Sequence, residues 1–190
     1  MWSPDGTRLA ALYRTSADAG DARSSIPEKH LITLSADGGE RRRVLSAPFS
    51  DAGATYGADG ERLWYTLGGA LHSVRVDGRG EQTHVVVPSA RQIVPSPTAT
   101  RVAVACDNRV FVRPLRSGRV DTLDACTRQR PYANAPGRRG YFPTWIGDEE
   151  WAWTFGGALS RQTVGAEGEP ETLDLGTRVP VSQPASDRVL

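Results

Sequence analysis

The sequence predicts an all-β protein built from repeated four-stranded units, and three observations support this prediction. Glycine and proline are frequent, with 20 and 13 residues in a chain of 190, and they separate short apolar runs as turn residues do. One turn-like segment recurs along the chain. No segment shows the sustained 3.6-residue apolar period of an amphipathic helix. The length and the 38% of hydrophobic residues suit one globular domain with a sizeable core.

The recurring segment first occurs at the start of the chain, where Trp2–Leu9 reads WSPDGTRL. Similar segments are YGADGERL, PSPTATRV and, with one residue deleted, WIGDEEW, which begin at positions 56, 95 and 145. A second match follows two of these copies, because TLGGAL (66–71) returns as TFGGAL (154–159). The copies are 39 to 54 residues apart, which is the size of a propeller blade with loops of variable length.

Each unit is predicted to contain four strands separated by turn residues at hairpin distances. The first strand ends at the turn, as in Gln92–Pro95. The second strands are predicted at 8–13, 62–67, 101–105 and 151–155. The third strands are predicted at 30–34, 70–76, 109–115 and 158–164. The fourth strands are predicted at 43–45, 83–87, 120–123 and 171–175.

The second strands indicate how the units pack. LAALY (9–13), VAVA (102–105) and WAW (151–153) do not alternate apolar with polar residues, and such strands are usually buried on both faces. Blades stacked around an axis bury both faces of their middle strands. The prediction is therefore a β-propeller of four-stranded antiparallel blades, about four in number and incomplete. The approximate blade boundaries are 1–50, 51–90, 91–138 and 139–176, and residues 177–190 are a partial strand or a linker to a following domain.

The turn sequence Ser-Pro-Asp-Gly has a physical explanation at each position. Pro4 presets φ near about −65°, Asp5 accepts backbone N–H groups, and Gly6 takes the positive φ that closes the hairpin. The residue before the turn, Trp2 in the first copy, is expected to pack between blades.

Three aspartates occupy equivalent turn positions in separate units, namely Asp5, Asp59 and Asp148. We interpret them as turn residues rather than as a catalytic or metal-binding set, because units of a propeller hold them apart. The third copy has Thr98 and Ala99 in place of Asp-Gly, and the fourth has lost its glycine, so looser turns are expected there.

No catalytic, cofactor-binding or metal-binding residue is predicted. The sequence contains no Gly-x-Ser-x-Gly, His-x-His, His-Glu-x-x-His or Cys-x-x-Cys motif. His30, His72 and His84 lie on predicted strands without paired spacing, so strand-surface or packing roles are favoured over a three-histidine site. Trp151 and Trp153 share one strand face and are predicted to be core aromatics, the alternative being a platform for carbohydrate or peptide.

The net charge and the length of the apolar stretches argue against nucleic acid and membranes as partners. The net charge of +1 provides no bulk attraction to nucleic acid or to an anionic membrane, and no stretch approaches the roughly 20 apolar residues of a membrane span. The run Arg41–Arg43 is predicted to be one edge of a strand.

Cys106 and Cys126 are the only cysteines, and they are predicted to be two buried or half-buried thiols rather than a disulfide or a zinc site.

The segment WSPDGTRLA (2–10) resembles the repeat of TolB-type β-propellers, which are related to WD-repeat proteins. The same repeat occurs in propellers of dipeptidyl-peptidase-like serine peptidases and tricorn-like proteases, and in the N-terminal halves of certain bacterial amidohydrolases. GYFPTWIGDEEWAWTFGGAL (140–159) resembles the last blade of the amidohydrolase-associated propeller.

The resemblance implies a non-catalytic propeller segment that binds a protein partner, or that is the scaffold or gate of a neighbouring hydrolase domain. One alternative is a fragment of an amidohydrolase whose metal-binding histidines lie beyond Leu190. Another is the propeller of a dipeptidyl-peptidase-like serine peptidase. A periplasmic or exported setting is implied by the resemblance alone.

The two ends of the chain raise a question about completeness. Trp2 is the residue expected to end a first strand, and residues 178–190 align without gaps on 91–103. A fragment of a longer protein is the favoured expectation. The alternatives are that Arg178–Ser182 supplies the inner strand of a closed four-bladed ring, or that two chains pair through open blade edges.

Overall fold

The computed structural model describes residues 1–13, 29–47, 54–106, 109–116, 118, 120–122, 141–155, 158–166 and 170–173. Within these residues every regular element is a β-strand. The strands in chain order are β1 (Arg8–Tyr13), β2 (Lys29–Ser35), β3 (Arg41–Ala47), β4 (Ala54–Tyr56), β5 (Arg62–Leu67), β6 (Ala70–Arg75), β7 (Gln82–Val86), β8 (Ala90–Pro95), β9 (Arg101–Cys106), β10 (Arg109–Pro114), β11 (Asp121–Thr122), β12 (Tyr141–Trp145), β13 (Glu150–Phe155), β14 (Ala158–Thr163) and β15 (Glu171–Leu173).

The strands form four sheets. Sheet 1 has the order β1-β2-β3, sheet 2 has β11-β7-β6-β5-β4, sheet 3 has β10-β9-β8, and sheet 4 has β12-β13-β14-β15. Consecutive strands within each sheet are antiparallel neighbours, as successive hairpins require. The predicted all-β propeller class is confirmed, and the predicted strand positions agree with the structure to within a few residues.

The fourth strand of the third unit departs from the prediction. Asp121–Thr122 forms a strand at the expected place in the sequence, but it pairs parallel with β7 in sheet 2 and not with β10. The outer edge of β10 is partly blocked toward a further strand. Pro114 has no N–H, and Arg113 Nη1 donates to the carbonyl of Val112 at 2.9 Å.

The segment Met1–Ser3 pairs with β1 in the position of a first strand of sheet 1. Met1 and Ala10 exchange both backbone hydrogen bonds, at 2.9 and 2.8 Å, and Ser3 N–H donates to the carbonyl of Arg8 at 2.8 Å. Trp2 therefore stands in the expected strand position, opposite Leu9. Its side chain is 56% exposed, so the prediction that it packs between blades is wrong for this copy.

Three hydrophobic clusters lie between neighbouring sheets and form the core. β5 shows the arrangement, since Leu63 and Tyr65 pack toward sheet 1 while Trp64 packs toward sheet 3. β9 does the same, with Val102 and Val104 facing sheet 2. The other face of β9 belongs to the third cluster, which lies between sheets 3 and 4. Its buried residues are Ala103, Ala105, Val110, Val112, Trp151 and Trp153.

The burial predicted for the non-alternating strands is therefore confirmed in two cases of three. VAVA (102–105) and WAW (151–153) are buried on both faces. In LAALY (9–13) only Ala10 is buried, and Leu9 and Ala11 are half-buried, so the prediction is wrong there. Within the described residues, sheet 1 packs against a neighbouring sheet through one face only.

Cys106 overturns the prediction of two free thiols, because it is disulfide-bonded. Its side chain is buried at the end of β9, in the cluster between sheets 2 and 3. Cys126, the other cysteine of the chain, lies outside the described residues.

Candidate functional site

The first strands of the four units converge on a cavity, which we call the axial cavity. It consists of two adjoining spaces of about 210 and about 410 Å³ that share the lining residues Met1, Thr55, Val94 and Thr144. The further lining residues of the larger space are Trp2, Pro4, Tyr56, Gly57, Ala58, Pro95, Pro97 and Trp145. The further lining residues of the smaller space are Ala54, Trp64, Tyr65, Thr66, Gln92, Ile93 and Pro143.

The wall of the axial cavity is uncharged in its side chains. None of the described lining residues is Asp, Glu, Lys, Arg or His, and most are aromatic, proline or small. The Trp145 ring is held in place because its Nε1–H donates to the carbonyl of Val94 at 2.9 Å. Such a wall offers flat apolar contact with a few neutral hydrogen-bonding groups. It contains neither a general acid–base pair nor a cluster of cations for an anionic ligand.

The first turn lies beside the mouth of the cavity and has the hydrogen bonds that its sequence predicts. Asp5 Oδ1 accepts from Ser3 Oγ at 2.6 Å and from Thr7 N–H at 3.0 Å, while Gly6 has a φ of 70°. These donors, Ser3 first, lower the pKa of Asp5 to about 2. The carboxylate is fully engaged in its own turn, which supports a structural role.

The third turn is closed by a residue of the fourth, which sequence reasoning missed. Asp148 Oδ1 accepts from Thr98 N–H at 3.0 Å and from Thr98 Oγ at 2.8 Å, and Arg101 Nη1 donates to the carbonyl of Asp148 at 2.9 Å. Ala99 adopts the positive φ of 53° that glycine takes in the first turn. The expectation of a loose third turn is therefore wrong, because the neighbouring blade supplies the missing carboxylate.

Each of the three histidines contacts a hydroxyl group, and His72 and His84 lie on the neighbouring strands β6 and β7. His30 Nδ1 is 2.6 Å from Ser46 Oγ, His72 Nδ1 is 3.1 Å from Thr83 Oγ, and His84 Nε2 is 2.7 Å from Ser73 Oγ. Among the residues that the structure describes, no three His, Cys, Asp or Glu side chains are placed to hold a metal ion.

Ser73 and His84 have the spacing of a nucleophile and its general base, but their surroundings do not suit catalysis. Ser73 is 0% exposed, so no substrate can reach its hydroxyl. Arg62 Nε also donates to Ser73 Oγ at 3.0 Å, which occupies a lone pair of the oxygen that would have to attack a substrate. The pair is a buried polar contact within sheet 2.

Trp151 and Trp153 are core residues, as predicted, and not a ligand platform. Their rings stack with centroids 4.3 Å apart and are 1% and 3% exposed. They lie against small residues of sheet 3, including Ala103 and Ala105.

Four β-sheets whose first strands surround a common cavity define a β-propeller. Solved structures support this class and specify it further. TolB from Acinetobacter baumannii matches with a TM-score of 0.62 and 15% identity, over 88% of this chain and 41% of that one. The chain therefore has a TolB-type β-propeller fold, and it spans about two fifths of the TolB chain.

Two other propeller structures match over more than three quarters of this chain. A chain of the nidogen–laminin complex matches with a TM-score of 0.55 and 15% identity, over 78% of this chain and 58% of that one. A candidate 6-phosphogluconolactonase from Bacteroides uniformis matches with a TM-score of 0.51 and 16% identity, over 88% and 53%. No protein-family model matches the chain, and no curated protein matches its sequence. Similarities at 15–16% identity establish the fold, and the function is inferred from the residues of the site.

Proposed function

We propose that this chain is a non-catalytic β-propeller segment that binds a protein partner through the axial cavity. The observation that carries the proposal is a cavity wall that is free of charged side chains and rich in aromatic residues and proline. Aromatic side chains are the anchors that protein interfaces favour, and a wall without charged side chains favours an apolar segment of the partner. The presence of a matching chain in a nidogen–laminin complex accords with protein binding by this fold.

Selection from a random peptide library on the immobilised chain tests the proposal. We expect the selected peptides to be poor in charged residues and to lose most of their affinity for the Trp2→Ala variant, which removes an exposed aromatic ring from the cavity mouth. Tyr13→Ala is the matched control, since Tyr13 is an exposed aromatic residue outside the lining. Binders that Trp2→Ala leaves unchanged, or no binders at all, would contradict the proposal.

The hydrolase alternatives rest on sequence resemblance, and a hydrolysis assay distinguishes a metal-dependent hydrolase from a binding segment. The prediction that the propeller precedes an amidohydrolase domain depends on residues 140–159 alone. We expect the chain by itself to show no hydrolytic activity toward amide and ester substrates. Activity that a chelator abolishes would favour a metal-dependent hydrolase over a binding segment.

A further inference from the structure

His84 connects the outer part of sheet 2 with the wall of the axial cavity. Its Nε2 lies 2.7 Å from Ser73 Oγ on β6, and its ring centroid lies 4.4 Å from that of Trp64 on β5. Trp64 is one of the lining residues of the cavity. We propose that His84 is a pH-sensitive contact whose neutral form holds β5, β6 and β7 together, and whose protonation loosens sheet 2 and the Trp64 wall of the cavity.

The donors around Ser73 determine which form of His84 fits. Arg62 Nε–H donates to Ser73 Oγ at 3.0 Å, and a guanidinium group cannot accept a hydrogen bond in return. Ser73 is completely buried, so its own O–H needs an acceptor within the protein. A neutral His84 supplies that acceptor with the lone pair of Nε2 and carries its proton on Nδ1.

Protonation reverses this contact. Nε2 becomes a donor aimed at an oxygen that already accepts from Arg62, and the buried Ser73 O–H is left without its acceptor. Arg62 on β5 and His72 on β6 both oppose a positive charge on His84. The parallel strand β11 pairs with β7 and adds one acidic residue, Asp121. Asp121 lies opposite Val85, which follows His84 in the sequence.

Burial first, and then electrostatic repulsion from the Arg62 and His72 side chains, lower the pKa of His84 below its usual value. A base whose pKa is lower in the folded state than in the unfolded state stabilises the fold fully above its unfolded pKa. That stabilisation is lost as the pH falls below the unfolded pKa, because the unfolded chain then binds the proton more readily.

Urea unfolding of the full chain at pH about 7.5 and about 5.5 tests the inference. We expect the wild-type midpoint to shift downward at the lower pH, and the His84→Gln variant to lose most of that shift, because a glutamine amide places an acceptor near the Nε2 position and does not titrate. His30→Gln is the control in sheet 1, where His30 contacts Ser46 Oγ at 2.6 Å, and it should keep the shift. An equal shift in wild type and His84→Gln would overturn the inference.

A measurement on the wild-type protein covers the case in which the variant fails to fold. Heteronuclear NMR of the imidazole nitrogens at neutral pH should show His84 protonated at Nδ1 only. At the lower pH, amide hydrogen exchange corrected for its intrinsic pH dependence should rise in β6 and β7 more than in sheet 4. A His84 protonated at Nε2 at neutral pH, or exchange that rises equally in all sheets, would overturn the inference.

Discussion

Asp5 determines the shape of its turn through several hydrogen bonds to one carboxylate. Ser3 Oγ, Thr7 N–H and Thr7 Oγ all donate to it, and Ser3 Oγ also accepts from Arg8 N–H at 2.9 Å. The aspartates at the same position of two other copies differ in whether they bind within their own turn. Asp59 accepts from Glu61 N–H at 3.0 Å within its own turn, whereas Asp148 caps the turn of the preceding blade. One residue type in one repeat position thus has two roles.

Asp5→Asn is expected to lower the urea midpoint at neutral pH, because the neutral amide accepts these hydrogen bonds less strongly. The pKa of Asp5 is about 2 in the folded protein and higher in the unfolded chain. Its stabilisation is therefore complete above its unfolded pKa and is lost as the pH falls toward about 2. Urea titrations across this range should show the difference between wild type and variant shrinking with falling pH. A difference that does not depend on pH would contradict this explanation.

At the scale of elements, the contact between the third and fourth turns couples two sheets. A double-mutant cycle of Asp148→Ala and Thr98→Val is expected to give a coupling free energy of about 0.5 kcal/mol, at the low end for residues in contact because the pair is exposed. The cycle of Asp5→Ala with Thr98→Val is the control and should be additive. Because valine keeps the backbone N–H, additivity in both cycles would show that the hydrogen bond from the Thr98 hydroxyl to Asp148 contributes nothing to stability.

The interface between sheets 3 and 4 depends on two large rings packed against small residues. Trp151→Ala is expected to cost about 3–5 kcal/mol of unfolding free energy, because it leaves a cavity against Ala103 and Ala105. Trp2→Ala should cost no more than about 0.5 kcal/mol, since that ring is 56% exposed. Chemical denaturation of both variants measures these costs, and equal losses would contradict the packing described for Trp151.

At the scale of the whole molecule, the described residues form four sheets, and the disulfide-bonded Cys106 is buried between sheets 2 and 3. Because Cys106 is disulfide-bonded and the chain has two cysteines, the denatured monomer purified without reductant should contain no free thiol. Reduction is expected to cost about 2–4 kcal/mol of unfolding free energy, the usual effect of a disulfide. Thiol titration and urea unfolding with and without reductant measure both. Cys106→Ser should be insensitive to reductant, and two free thiols in the wild type would contradict the cross-link.

The axial cavity, which we propose as the partner-binding surface, also belongs to this scale, since no single sheet forms it. Each unit contributes its first strand to the axial cavity, so the wall exists only when the sheets are assembled. Within the described residues there is no helix long and apolar enough to cross a membrane. The proposed protein-binding role thus depends on the arrangement of blades around the cavity.

The sequence by itself determined the repeat, the strand positions and the local turn of Asp5, because turn chemistry and apolar patterning act over a few neighbouring residues. Tertiary structure alone decided the contact of Asp148 with Thr98, the pairing of β11 with β7, and the disulfide of Cys106. Each of these joins groups that are distant in sequence. The axial cavity and the burial of Ser73 beside His84 belong to the same class, because only the folded chain brings their residues together.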